Sequence, residues 1–325
     1  MDVLTSANVS AVCVVNDHMT AFIVLYSLVF FIGLPAHLLS VLVFIISRRQ
    51  QHSRGGSGTR LYLLNLLLAD LLLLLMLPFK ILKDSGSATW NLTMFHCRFS
   101  AVVFYISLYS SLMFLTLIIS QRHLQASQSS FSRRLQEVGF SRLLSVVVWF
   151  LLIVINLPNM VLPLTTIQPR PFLSCSSLKS EMGHHFHTLA VLLNMALFLN
   201  ASVCVLFCCI LALRRLLGRG GNGNHGDARR AALSVKVTAA AYALSFVPYH
   251  AVRMPYTLAQ VELISDCWTR RQLFLWKEAT LLLSVLRLCF DPLLFFCLCS
   301  PFRRTISSTI RRTNTQPGQD RETSV

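Results

Sequence analysis

The sequence predicts an all-α membrane protein built as a bundle of seven transmembrane helices. Three observations carry that expectation. Of 325 residues, 54% are hydrophobic and only 13% charged, whereas soluble domains average about 45–50% apolar and about 25% charged. Seven stretches are long enough to cross a hydrocarbon core, which takes about 20 mostly apolar residues. The basic residues, which give a net charge of +16, gather in alternate connections between those stretches.

The stretches run 20–47, 60–82, 94–121, 141–163, 187–213, 231–258 and 273–298. Most are continuously apolar rather than alternating, which fits helices better than barrel strands. The second contains Leu66-Leu67-Leu68-Ala69-Asp70-Leu71-Leu72-Leu73, apolar on every side as no soluble surface helix is. The fifth carries Asn194 and Asn200, and the sixth and seventh carry charges. They still count as spans, because polar groups inside a bundle find partners there. The first stretch lacks a basic start and follows the sequon Asn8-Val9-Ser10, so it is expected to be a span rather than a cleaved signal peptide. A second sequon begins at Asn91, on the same predicted side. The expected organisation is an extracellular segment 1–19, a seven-span domain 20–298 and a cytoplasmic tail 299–325.

Charge sets the orientation. Most of the 29 Lys and Arg lie in or beside the connections after spans one, three and five and in the tail, among them Arg48, Arg49, Arg133, Arg134, Arg214, Arg215, Arg303 and Arg304. Short basic loops stay cytoplasmic. The N-terminus is therefore expected outside and the C-terminus inside, which requires an odd number of spans. This placement also argues against nucleic acid as the partner of the positive charge and favours anionic membrane lipid. Four of ten cysteines, Cys13, Cys97, Cys175 and Cys267, fall on the oxidising side, where disulfides form. Spacing allows three pairings and does not choose among them. No cofactor or metal site is expected. In the run His184-His185-Phe186-His187, two of the three His spacings are wrong for one helix face.

Motifs narrow the class: Leu68-Ala69-Asp70 in span two, Cys97 and Arg122 bounding span three, Trp149 and Pro158 in span four, Phe246-Val247-Pro248-Tyr249 in span six and Asp291-Pro292-Leu293-Leu294-Phe295 in span seven. Over residues 20–312 the chain resembles a rhodopsin-like (class A) G-protein-coupled receptor. Leu157-Pro158-Asn159-Met160, His250-x-x-Arg253, Tyr256 and Lys277-Glu278 are similar to the purinergic-like group of ADP, nucleotide-sugar and related orphan receptors. The resemblance implies that Phe302-Arg303-Arg304 begins a short C-terminal amphipathic helix. It also implies disulfides Cys97–Cys175 and Cys13–Cys267.

Arg253 and Lys277 stand near the outer ends of spans six and seven. Composition alone favours cations that snorkel to the interface, or a simple Lys277–Glu278 pair. The resemblance favours two cations facing one cavity, where charge-assisted contacts would hold phosphate or carboxylate. It implies a ligand set of Tyr105, Tyr109, Lys179, His187, Tyr249, His250, Arg253, Tyr256 and Lys277, with Tyr105 stacking on a base-like ring. The implied function is binding of a small extracellular anionic, nucleotide-like ligand and signalling through a heterotrimeric G protein of the inhibitory class, with Arg122 at the coupling face.

The chain departs from the family's pattern at several points. The resemblance implies a sodium-linked polar network around Asp70 and Ser111, reaching Asp291. Arg287 stands where relatives usually have Asn, so it is expected to pair with Asp70 or Asp291 in place of sodium. His37 replaces an Asn of span one. Gln121-Arg122-His123 replaces Asp-Arg-Tyr, while Phe295 and Cys208 replace tyrosines. Gln121 should loosen the resting state, and two lost hydroxyls should weaken the active one by roughly 1 kcal/mol each. The C-terminal Glu322-Thr323-Ser324-Val325 fits capture by a PDZ-domain protein through Thr323 and Val325. The competing readings are an orphan-type receptor for a peptide or anionic lipid, and a transporter. The transporter would need repeat symmetry and a charged path, and neither is visible. An enzyme is not expected, since no nucleophile–base constellation appears.

Overall fold

The computed structural model describes residues 19–50, 58–125, 137–164, 175–217, 225–261, 263–264 and 266–298. Among these residues no β-strand forms beyond a single bridge, Leu164 to Lys179. The helices are α1 Thr20–Gln50, α2 Gly58–Asp84, α3 Trp90–Phe95, α4 Ala101–Gln125, α5 Val138–Val161, α6 Glu181–Leu217, α7 His225–Gln260, α8 Cys267–Leu286 and α9 Asp291–Leu298. A π turn at His96–Ser100 joins α3 to α4 as one span, Trp90–Leu124. A 3-10 turn at Arg287–Cys289 joins α8 to α9 across a 44° bend. Six helices are long and apolar enough to cross a membrane, and this bent pair is the seventh.

The predicted spans are therefore met, most with longer ends than the apolar runs alone indicate, while α5 stops at Val161, short of the expected 163. Helices keep their hydrogen-bond ladder beyond the hydrocarbon. Asp266 accepts from the Thr269 N–H at 2.8 Å and starts α8 before its apolar stretch begins. Hydrogen bonds from the Thr269 hydroxyl and N–H hold this carboxyl below its usual range. Prolines 35, 78, 158, 248 and 255 sit inside helices, where each removes one backbone bond and allows a kink. Asn91, one of the two sequon residues, is exposed in the first turn of α3.

The α3–α4 span is the most buried and forms the axis of the bundle. Leu112, Phe114, Ile118 and Ile119 on it are fully enclosed, as are Leu66, Leu73 and Leu77 on α2. The opposite pattern marks the outside. Phe31, Leu143, Phe150, Val203 and Leu244 stand exposed, an apolar surface that water would not tolerate at this scale and lipid does. Gly33 allows α1 to come close, because a Cβ there would lie 3.1 Å from Leu74 and 3.7 Å from Leu288. Trp149 donates to Asn65 at 2.9 Å, and Asn65 reaches Ser145, so polar side chains tie α2 to α5.

Candidate functional site

Polar residues gather at three levels of the bundle. The end predicted to face outside holds a cavity of about 170 Å³ between α2, α4, α5, α6, α7 and α8. The Cys97–Cys175 disulfide, with Cα atoms 5.2 Å apart, ties the loop before α6 to the top of the central span. That loop brings Lys179 over the cavity, where its ammonium donates to Asn159 at 2.8 Å. Cys267 is disulfide-bonded at the start of α8, while Cys13 lies outside the described residues. Arg98 donates to the carbonyls of Met160 and Val161 and so fastens the end of α5 to the same rim.

Eight of the nine expected ligand residues line this cavity: Tyr105, Tyr109, Lys179, His187, Tyr249, Arg253, Tyr256 and Lys277. Helical spacing explains the set on α7, because residues 249, 253 and 256 share one face. His250 points elsewhere. Its ring stacks on Phe198 with centroids 3.8 Å apart, and its Nδ1 meets the Phe246 carbonyl. The structure thus makes His250 a packing residue beneath the cavity rather than part of its lining.

Charge divides the cavity into two halves. On the α2–α8 side, Lys80 pairs with Asp84 at 2.8 Å and Glu278 at 3.1 Å. Lys83 also pairs with Asp84, and Lys277 with Glu278. Tyr26 donates to Glu278 from α1 at 3.3 Å. Among the described residues, the other side holds no acid. Arg253, 5% exposed, donates to His187 Nε2 at 3.3 Å and lies over the rings of Tyr105 and Tyr256. Among the described residues, no carboxylate pairs with Arg253 or Lys179. Among the described residues, the lining therefore holds five basic side chains against two acids. Burial, with the Arg253 charge as the smaller cause, pulls the Lys179 ammonium down to about 7. Below the cavity mouth, the Asn194 Oδ1 is buried without a hydrogen-bond partner.

Sequence reasoning missed Lys80, Lys83 and Asp84 as part of this site. Their signal was present, since Asp84 follows Lys80 by four residues and thus shares its helix face.

The middle level holds Asp70, Arg287, Asp291, His37 and Ser111. The expected pairing with one carboxylate is exceeded, because Arg287 binds both: Asp70 at 2.7 Å, and Asp291 on its own helical run. The inner level holds Arg122. It donates to the backbone carbonyl of Leu298 at the end of α9, while the Oε1 of neighbouring Gln121 has no partner. Phe295 fills the core against Phe44 and His37, and the Cys208 thiol sits 3.9 Å from Ser120. Neither side chain carries a hydroxyl. Among the described residues no cluster of three or more metal-ligating side chains forms. Thr323 and Val325 lie outside the described residues, as do Asn8 and the stretch from Phe302.

Seven spans, a disulfide-braced outer cavity and an inner arginine define a heptahelical membrane receptor. The 7 transmembrane receptor (rhodopsin family) pattern matches residues 37–295, and the chain belongs to that family. It is 41% identical over 302 residues to bovine (Bos taurus) "G-protein coupled receptor 171", covering 93% of each chain. It is 35% identical to purinoceptor 13 of Rattus norvegicus, covering 96% of this chain and 92% of the relative. It is 33% identical to purinoceptor 14 of Bos taurus, covering 87% and 83%. The chain is thus a class A G-protein-coupled receptor of the purinergic-like group, a multi-pass plasma-membrane protein and not an enzyme.

Proposed function

We propose that this receptor binds a small extracellular anionic ligand of nucleotide type and signals through a heterotrimeric G protein of the inhibitory class. The carrying observation is the surplus of two to three positive charges, depending on Lys179, among the described residues lining the cavity, with Arg253 paired to no described carboxylate. A nucleoside diphosphate brings about that much negative charge, and buried cations bind phosphate best where no carboxylate competes. Tyr105 and Tyr256 offer ring faces, and the unpartnered Asn194 carbonyl offers an acceptor to an N–H edge. The purinoceptor names of two relatives support the same class.

In this reading the N-terminus is outside and the tail 299–325 cytoplasmic. Agonist draws the outer ends of α7 and α8 together around Arg253 and Lys277. The inner end of α7 then moves outward and frees Arg122 for the G protein, a shift limited by the ligand's differential affinity for the two states. The cytoplasmic arginines meet anionic lipid, and Thr323 and Val325 serve a PDZ-domain partner.

The test is G-protein recruitment and cyclic-AMP inhibition in cells expressing the chain, across a panel of nucleoside diphosphates and nucleotide sugars, with Arg122→Ala as the uncoupled control. A response to nucleotides that Arg122→Ala abolishes supports the reading. Silence to nucleotides with a response to an acidic peptide or anionic lipid transfers the site to that ligand class.

Lys179 adds a pH signature. Its ammonium is charged below about 7 and neutral above, so raising the pH removes a positive charge from the cavity. Affinity for an anionic agonist is therefore expected to fall between about pH 6 and pH 8. Lys179→Arg, which stays charged throughout, should flatten that slope in equilibrium binding.

A further inference from the structure

Asp70 and Asp291 are 0% and 2% exposed near the middle of the bundle. Two carboxylates at that depth require positive charge beside them. The chain supplies it. Arg287 Nη1 lies 2.7 Å from Asp70 Oδ1 and also donates to Asp291 Oδ2. Ser111 donates to the same Asp70 oxygen at 3.0 Å. On the other Asp70 oxygen stands His37 Nε2 at 3.4 Å, while His37 Nδ1 meets the Gly33 carbonyl at 3.0 Å. Both ring nitrogens thus face acceptors, an arrangement that a doubly protonated imidazole satisfies. Two cations then balance two anions, and an added ion would leave net charge in hydrocarbon.

The guanidinium is not there as a well-satisfied structural strut. Its Nε and Nη2 are buried without hydrogen-bond partners, which costs stability. What holds it is charge, together with the face of Phe246, 5.7 Å from its centre. Phe246 lies two residues before Pro248 in α7, and Arg287 opens the 3-10 turn where the last span bends. The tethered cation thus bridges α2, the bend and the proline region of α7.

We propose that Arg287 is a built-in cation that fills the position between Asp70 and Asp291, so that the receptor takes no sodium there, and that removing it uncovers a monovalent-cation site made of Asp70, Asp291 and Ser111. The inference is independent of the ligand, because its readout is the stability of the unliganded receptor.

The experiment is thermal unfolding of the purified full chain in sodium chloride or choline chloride at equal ionic strength. Wild type is expected to melt at the same temperature in both. Arg287→Asn is expected to gain a saturable upward shift of about 3–6 °C in sodium alone. Adding Asp70→Asn to that variant should erase the shift. A sodium-specific, saturable stabilisation of wild type overturns the proposal, and so does a folded Arg287→Asn that ignores sodium. Should Arg287→Asn be recovered in neither salt, Arg287→Lys decides. Its recovery with no response to sodium supports a charge-filled position, and failure of both variants overturns it.

Discussion

Replacing Arg253 by Ala is expected to lower affinity for an anionic agonist roughly 30- to 4,000-fold, read as a rightward shift of the dose–response curve at equal surface expression. The range corresponds to about 2–5 kcal/mol, the cost of truncating one partner of a buried, hydrogen-bonded charge pair. The upper end is favoured by geometry. Arg253 is almost fully enclosed, and among the described residues no carboxylate shares it. Arg253→Lys should recover part of the loss, since it keeps the charge but loses the planar fork that lies over Tyr105 and Tyr256. An unchanged curve for Arg253→Ala would remove the cavity's central residue from the binding account.

Glu278→Gln is expected to destabilise the receptor by about 3–5 kcal/mol, because breaking a buried ion pair strands the remaining charge. Glu278 receives Lys80, Lys277 and the Tyr26 hydroxyl from three different elements. Asp84 can still hold Lys80 after the substitution, but Lys277 loses its acid. The measurement is the unfolding temperature of purified protein beside Asp84→Asn, whose loss should be smaller: Lys80 then keeps Glu278, and only Lys83 is left without an acid. Anionic ligand should restore part of the Glu278→Gln loss, since the variant's cavity carries one more uncompensated positive charge.

Much of this arrangement was legible beforehand where energy leaves few choices. A cation inside a hydrocarbon span must find an anion; the four-residue spacing offered Asp291 to Arg287, and the family resemblance offered Asp70. The family resemblance named Tyr249, Arg253 and Tyr256, and helical spacing accounts for their facing one cavity together. His250 shows the limit, because adjacent helix positions point about 100° apart and only the packing of Phe198 decides where its ring goes. The Lys80–Asp84–Glu278 ring was hidden for a different reason. Its members come from spans two and seven, far apart in sequence, and a lysine at a span's end has a ready explanation in the interface. The bend after Leu286 does carry a local signal, since Pro292 has no N–H for the Leu288 carbonyl and interrupts the helix there.

The contact between Arg122 and the Leu298 carbonyl carries one more consequence. A carboxylate partner can be neutralised by a proton or replaced by a point mutation. A peptide carbonyl can be neither titrated nor exchanged through its side chain. The Leu298 part of the hold on Arg122 is therefore mechanical: a change of protonation leaves that acceptor intact, and a shift of the end of α9 breaks it.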